Sequence, residues 1–130
     1  MFKNSIFLGL ASGLSAGTAA IIFAGVYKEA MYVDFSEVLT SANLIGACVF
    51  GTTIASLGYL LIKKVLPKKG DLVFNILFTL LTFASIVGPI AHTFPPEMDD
   101  MIQSYFPSFA ITLHFFPMLF WLALKPFFIK

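Results

Sequence analysis

Four long apolar segments, none with an Asp, Glu, Lys or Arg in its interior, constrain this chain more than any other feature. They cover about residues 4–27, 43–62, 72–91 and 107–124. Each is close to the ~20 residues that a helix needs to cross the hydrocarbon core of a bilayer. Hydrophobic residues make up 58% of the chain and charged residues 12%, and a soluble protein of this size cannot bury so much apolar surface. The sequence therefore predicts one all-α domain over residues 1–130, an integral membrane bundle of four antiparallel helices.

The lysines predict the orientation of this bundle. Seven of the eight precede the first helix, lie between the second and third, or follow the fourth. The opposite side carries Lys28 and every acidic residue except Asp71. Because the cytoplasmic loops of membrane proteins carry an excess of basic residues, both termini are expected in the cytoplasm. The predicted location is the inner (plasma) membrane, with several passes.

The first apolar segment has an alternative interpretation as a cleaved signal peptide. Lys3 would be its charged region, and the small residues at 15–20 its cleavage zone. The apolar stretch continues to Val26, however, which is long enough to span a bilayer. A retained membrane helix is therefore favoured.

The two outer loops contain patterns that predict local structure. After Pro96, apolar residues recur at the spacing of one helix face: Met98, Met101, Ile102, Tyr105 and Phe106. This spacing predicts a short amphipathic helix that opens near Glu97 and lies in the outer interface. In the other loop, Asp34 with Glu37 three residues later fits a capping box. That motif predicts that the second helix begins near Phe35.

Small residues at four-residue spacing predict how the first two helices pack. Each helix carries three of them: Gly9, Gly13 and Gly17 in the first, then Ala47, Gly51 and Ala55 in the second. Small side chains let helix backbones approach closely, and the dispersion contacts then replace those that lipid supplies. Two interpretations follow. The first helix packs against the second within one chain, or it forms the seam of a homodimer.

The third helix carries a polar stripe that predicts a ligand site. Its members project within an arc of about 140° at helical spacing: Asn75, Thr79, Thr82, Ser85, Pro89 and His92. Since hydrocarbon offers them no partners, the stripe is expected to face the bundle interior. On the neighbouring helix His114 lies about 10 Å below the outer end. The candidate ligand-binding residues are His92, His114, Ser85, Thr82 and Asn75.

Three interpretations of the two histidines compete. Each imidazole fixes helix register through a hydrogen bond, or the pair lines a pocket or proton-responsive element for a small ligand or lipid. The third is a metal site formed by His92 and His114 with Glu97 and Asp99 or Asp100, since imidazole and carboxylate suit zinc. No close His-x₃-His spacing supports that site. No cofactor is evident from the sequence.

Composition argues against several functions. Cys48 is the single cysteine, so one chain forms neither a disulfide nor a thiolate cluster. All eight basic residues are lysine and the net charge is +1, which gives no case for nucleic acid binding. No carboxylate lies inside a predicted span to couple protons to export. A serine-type site from Ser104, His92 and Asp100 has no supporting spacing.

The order of several short motifs resembles a known family. These motifs are Phe23–Tyr27 at the end of the first helix, the basic turn Lys63–Lys69, the segment Ser85–Pro89, and Leu113-His114. The chain resembles a family of uncharacterised small bacterial membrane proteins with four transmembrane helices, a domain of unknown function. The phenylalanine-rich fourth helix and the acidic outer loop depart from the alanine-rich pattern of that family. The resemblance implies the fold and no activity.

We therefore expect a non-enzymatic membrane protein that binds a partner, lipid or small ligand through the outer half of the bundle. An oligomeric channel or small transporter is the first alternative, because one four-helix chain leaves little room for a water-filled path. A membrane enzyme is the least favoured. The expected partners are membrane lipid and, through the first helix, a second copy of the chain. The sequence identifies no protein partner.

Overall fold

A computed structural model describes all of residues 1–130 and contains only helices and their connections. The helices are α1 (Phe2–Met31), α2 (Ser41–Val65), α3 (Gly70–Ser85), α4 (Val87–Ala91) and α5 (Asp100–Phe128). α3 and α4 together form one apolar unit, Gly70–Ala91, so the chain has four helical units long and apolar enough to cross a membrane. The prediction of an all-α chain with four candidate spans is confirmed at this level.

The α2–α5 pair forms the centre of the bundle. Both helices contact α1 and α3 as well as each other, whereas α1 and α3 lie on opposite sides and make no contact. We call the end that carries Lys63, Asp71 and Lys125 the lysine-rich end. The opposite end, which carries Asp34 and Asp99, is the acidic end. The two ends differ in how their side chains are held.

The connection between α1 and α2 corrects the predicted start of the second helix. The carboxylate of Asp34 accepts the backbone N–H of Ser36 at 2.9 Å, within the connection. Helix α2 begins instead at Ser41, where the hydroxyl of Thr40 accepts the N–H of Asn43 at 3.2 Å. Val33 and Phe35 are buried in the core. Because the connection places these two side chains in the core, α2 begins further along the chain, at Ser41.

The predicted separate outer helix is not formed. Its residues from Asp100 onward are the first turns of α5, which continues without a break to Phe128. Asp99 caps this helix by accepting the N–H of Met101 at 2.8 Å. Phe106 and Phe109 are both buried in the same cluster. The turns on either side of Pro107 are therefore packed in one cluster.

The third apolar segment is two helices rather than one. Pro89 has no N–H to donate to the carbonyl of Ser85, one turn earlier. The regular pattern stops at Ile86, whose N–H donates to the carbonyl of Phe83 at 3.3 Å. α4 then continues the apolar unit for five residues. This break ends α3 at Ser85.

Two hydrophobic clusters form the core. The acidic-end cluster is rich in phenylalanine, and Phe35 and Phe109 stack at a centroid distance of 4.4 Å. The second cluster lies toward the lysine-rich end and consists of Leu8, Tyr59, Phe74 and Trp121. Trp121 donates its indole N–H to the hydroxyl of Ser56 at 2.8 Å, which joins α5 to α2. Each cluster therefore connects three helices or more.

The three glycines of α1 lie directly against α2. A Cβ atom added to Gly13 would lie 2.4 Å from the Cα of Val49, and one added to Gly17 would lie 2.8 Å from the Cα of Ile45. At Gly9 the buried backbone carbonyl accepts a hydrogen bond from the hydroxyl of Thr52 at 2.7 Å. The first helix thus packs against the second within one chain. The predicted homodimer seam on this face stays a prediction, and the face is already occupied.

On α2, the face that meets α1 is not the predicted one. A Cβ on Gly51 would have nothing within 4 Å, and Ala47 is exposed. Ala55 packs instead against the hydrophobic cluster of Leu8, Tyr59, Phe74 and Trp121. The glycines of α1 receive the larger residues Ile45 and Val49, because a groove without side chains accommodates a neighbour's side chains.

Candidate functional site

Two of the predicted site residues meet at the end of α3. The Oγ of Ser85 lies 2.9 Å from the Nδ1 of His114. Ser85 is the last residue of α3 and is exposed, while His114 lies in the middle of α5 and is half-buried. The contact joins two of the four helical units that are long and apolar enough to cross a membrane, Gly70–Ala91 and Asp100–Phe128.

The hydroxyl of Ser85 decides which nitrogen of His114 carries hydrogen. That hydroxyl also lies 2.7 Å from the carbonyl of Thr82, and a carbonyl only accepts. Its single hydrogen therefore goes to Thr82, and the Nδ1–H of His114 donates to Ser85. A neutral imidazole has one N–H, so Nε2 keeps a lone pair. The chain supplies no donor to this nitrogen.

An aromatic contact accompanies the Ser85–His114 contact between α3 and α5. The rings of Phe83 and Phe115 meet edge to face with centroids 5.2 Å apart. Phe83 lies two residues before Ser85, and Phe115 directly follows His114. The two helices are therefore joined here by one polar and one aromatic contact.

The other members of the polar stripe do not join this pair. The hydroxyl of Thr82 donates to the carbonyl of Phe78, and that of Thr79 donates to Asn75, both at 2.8 Å. These bonds stay within one helix and leave no free donor. The side-chain oxygen of Asn75 faces Lys125 at 3.5 Å, at the lysine-rich end. The stripe is therefore spread along α3 rather than gathered in one pocket.

His92 lies apart from His114 in its contacts. Its ring packs against Phe94 at 4.5 Å and Phe106 at 5.5 Å between centroids. No hydrogen bond connects it to Ser85 or His114. No contact in this fold supports the interpretation that both imidazoles share one polar cavity. His92 caps the acidic-end cluster with an exposed ring.

The predicted metal ligands do not assemble. No group of three His, Cys, Asp or Glu side chains lies close enough to hold an ion. Asp99 is engaged as the cap of α5, and Glu97 is exposed in the preceding turn. The four residues His92, His114, Glu97 and Asp99 are therefore not brought together.

A second polar cluster, at the lysine-rich end, was not predicted. Its centre is the carboxylate of Asp71 at the start of α3, which accepts the hydroxyl of Tyr59 at 2.8 Å. One oxygen pairs with Lys63, and the other lies 2.7 Å from the Nζ of Lys125. The ammonium of Lys125 also lies 4.7 Å from the centre of the Tyr59 ring. One carboxylate thus holds α2, α3 and α5 together.

Close packing of the turn before α3 makes this cluster possible. Gly70 is buried, and a Cβ there would lie 3.0 Å from the Cα of Lys63. The short connection between α2 and α3 therefore brings Asp71 against Lys63. Beside the cluster opens a cavity of about 670 Å³ whose wall includes Asn4, Tyr59, Lys63, Asp71, Phe128 and Lys130.

The sequence did carry a signal for this cluster. Asp71 is the one acidic residue on the lysine-rich side, and an isolated acid among lysines is a natural ion-pair partner. Which of the lysines Asp71 selects depends on the α2–α3 turn and the approach of α5. Comparisons of the chain with family models, with curated proteins and with solved structures found no match.

Proposed function

We propose that this chain is a non-enzymatic integral membrane protein that binds a small membrane-soluble molecule in the outer half of the bundle. The observation that carries the proposal is the 2.9 Å contact between the Oγ of Ser85 and the Nδ1 of His114, from which the Nδ1–H is assigned to this bond and Nε2 to the role of a free acceptor. A ligand with a hydroxyl or amide hydrogen on an otherwise apolar body would donate a hydrogen bond to Nε2.

The surroundings of His114 favour such a ligand over water or an ion. Lipid chains supply no hydrogen-bond donor, so an acceptor at membrane depth gains from any donor that reaches it. The Phe83–Phe115 pair offers an aromatic surface for the ligand's body. The group to be bound is therefore a lone donor on an apolar molecule, such as a long-chain alcohol or a lipid hydroxyl.

The direction of the Ser85–His114 bond argues against a catalytic role. A serine nucleophile needs its hydrogen on the histidine that acts as base. Here Ser85 donates to the carbonyl of Thr82 and the histidine is the donor to Ser85. Ser104, His92 and Asp100 form no hydrogen bond with one another. The pair is built to hold a ligand rather than to attack one.

The channel or transporter alternative requires an oligomer with a different seam from the one predicted. The glycine face of α1 is filled by α2. The hydroxyls of Thr79 and Thr82 each donate to a carbonyl of their own helix, so neither has a hydrogen left for a solute. Ligand binding by a single chain needs neither condition, and we place it first.

The proposal is tested by ¹⁵N-histidine NMR of the full chain in bilayers. Hexadecanol is added to one sample and its methyl ether, which lacks the hydroxyl hydrogen, to the other. We expect the Nε2 resonance of His114 to move with the alcohol alone, because only the alcohol donates. An equal response to the ether, or no response to either, would reject the site.

Two variants test whether the change in the Nε2 resonance depends on the Ser85–His114 contact. Ser85→Ala removes the group that orients the imidazole, so the shift with hexadecanol should shrink. Thr112→Val removes a hydroxyl from α5 that donates only to the carbonyl of Ser108 at 3.0 Å. It should leave the response unchanged. Equal effects of the two variants would point to general loosening of α5.

A further inference from the structure

We propose that the cavity at the lysine-rich end binds the phosphate of an anionic phospholipid headgroup, with Lys63 and Lys130 as the binding cations. This site is separate from the Ser85–His114 pair and does not depend on the function proposed there. It rests on three features: the charge of the cavity wall, the way Asp71 holds its lysines, and the apolar residues beside them.

The balance of charge favours an anion. One carboxylate, Asp71, is shared between Lys63 and Lys125, which leaves this cluster with one net positive charge. Met1 and Lys130 also lie on the cavity wall, and the side-chain ammonium of Lys130 pairs with no acidic side chain. The amide of Asn4 adds a neutral donor to the same wall. A cationic headgroup would face repulsion from this wall, whereas a phosphate would face donors.

Asp71 prepares Lys63 for binding rather than consuming it. The carboxylate has three partners, Tyr59, Lys63 and Lys125, and its side chain is still 44% exposed. Lys63 has three ammonium hydrogens and spends one on Asp71. The contact fixes the ammonium at the edge of the cavity with donors to spare, so less side-chain freedom is lost when an anion binds.

The remaining wall distinguishes a lipid from free phosphate. Phe127, Phe128 and Ile129 line the cavity beside the lysines. A free phosphate gains nothing from these residues, whereas the glycerol and first acyl carbons of a lipid would lie against them. The predicted orientation places this end at the cytoplasmic surface, where anionic lipids attract basic segments. The volume of about 670 Å³ lies within the roughly 300–1,000 Å³ of ligand pockets.

The test is native mass spectrometry of the full chain released from nanodiscs with equal phosphatidylglycerol and phosphatidylcholine. We expect wild-type protein to retain phosphatidylglycerol in preference. Lys63→Gln and Lys130→Gln should each lower that preference by about tenfold, the effect of losing one hydrogen bond to a charged group. Lys130 makes no contact with Asp71, so its variant stays informative if Lys63→Gln unfolds the bundle.

Lys64→Gln is the matched control. Lys64 is adjacent to Lys63, exposed, and absent from the cavity wall. Its removal should leave the lipid preference unchanged. An equal fall with Lys64→Gln, or no lipid preference in wild type, would overturn the proposal in favour of diffuse surface attraction. Displacement of the retained lipid by excess inorganic phosphate would assign the cavity to a soluble phosphate and overturn the lipid assignment.

Discussion

The α1–α2 interface and the contacts of α3 hold helices together by different means. Between α1 and α2 the backbones meet, and a Cβ at any of three glycines would lie within 3.0 Å of α2. α3 never contacts α1 and is the least buried of the four spans. Polar contacts hold its two ends, at Asp71 and at Ser85, with Phe74 and Phe78 packed on Trp121 between them.

This difference follows from the solvent. In lipid, apolar burial does not drive helices together, so close backbone packing or polar contacts must do so. A glycine groove gives many dispersion contacts, but the facing helix must fill it closely, which leaves no space there for a ligand. A helix held at its ends leaves lateral surface for a ligand. Both proposed sites include a residue at one end of α3, Ser85 in one and Asp71 in the other, and neither includes the three glycines of α1.

The largest effect is expected from a single methyl group at the α1–α2 interface. Gly13→Ala would place a Cβ 2.4 Å from the Cα of Val49, and backbone cannot rotate away as a side chain does. We expect a loss of about 2–3 kcal/mol in the free energy of unfolding in bicelles. Gly51→Ala is the control, because its Cβ would meet open space. It should change stability by no more than about 1 kcal/mol. Similar losses in both variants would contradict the close contact.

A smaller loss is expected where α3 is held at the lysine-rich end. Asp71→Asn preserves shape and leaves Lys125, whose side chain is 13% exposed, without its anion. Breaking a fully buried pair costs about 3–5 kcal/mol. Since the Asp71 side chain is 44% exposed, water screens it and we expect about 1–2 kcal/mol. Hydrogen exchange should rise in the first turns of α3 and not in α1.

Asp100→Asn provides the matched control for Asp71→Asn. Asp100 is exposed and has no ion pair. The same chemical change there should leave both stability and hydrogen exchange in α3 unchanged. Faster exchange throughout the bundle with Asp71→Asn would mean that α3 is not held separately from α1.

At the other end of α3 the expected effect is smaller again. Ser85→Ala removes the hydrogen bond to His114, and such bonds between membrane helices average about 0.6 kcal/mol. Exchange should rise near Ser85 and stay unchanged near Asp71. Thr79→Val, which removes a hydroxyl bonded only to Asn75 on its own helix, should leave the α3–α5 contact intact. A larger effect from Thr79→Val would place the α3–α5 anchor elsewhere.

The same comparison explains what could be predicted from sequence. The four spans follow from apolar length, and the α1 groove follows from glycine spacing, because both are local properties. The partner residues Ile45, Val49 and Thr52 could not be predicted, since a groove does not reveal which neighbour fills it. Ser85 and His114 were expected together because both are polar at membrane depth. The Asp71 cluster needed the geometry of a turn and of a distant helix.

The smallest effect concerns the connection that follows α1. The backbone N–H of Ser36 and the ammonium of Lys28 each lie 2.9 Å from a carboxylate oxygen of Asp34. Together they lower the pKa of Asp34 from 3.8 to about 2. A lowered pKa means that the folded state favours the carboxylate. The stabilisation is therefore complete above the ordinary pKa and is lost as pH falls through about 2. A carboxyl NMR titration should give this midpoint for Asp34.

Lys28→Gln separates the two causes of this shift. Its Asp34 midpoint should rise only part of the way toward 3.8, because the Ser36 bond is the larger cause and remains. Asp34 is exposed, so the protection factors of Val49 and Thr52, which correct exchange rates for the pH dependence of unfolded chain, should be the same above and below the Asp34 midpoint of about 2. If exchange at Val49 and Thr52 accelerated together with protonation of Asp34, the glycine groove would depend on its connecting turn. The α1–α2 contact would then be held by charge, like the contacts of α3, and the two regions would no longer differ in kind.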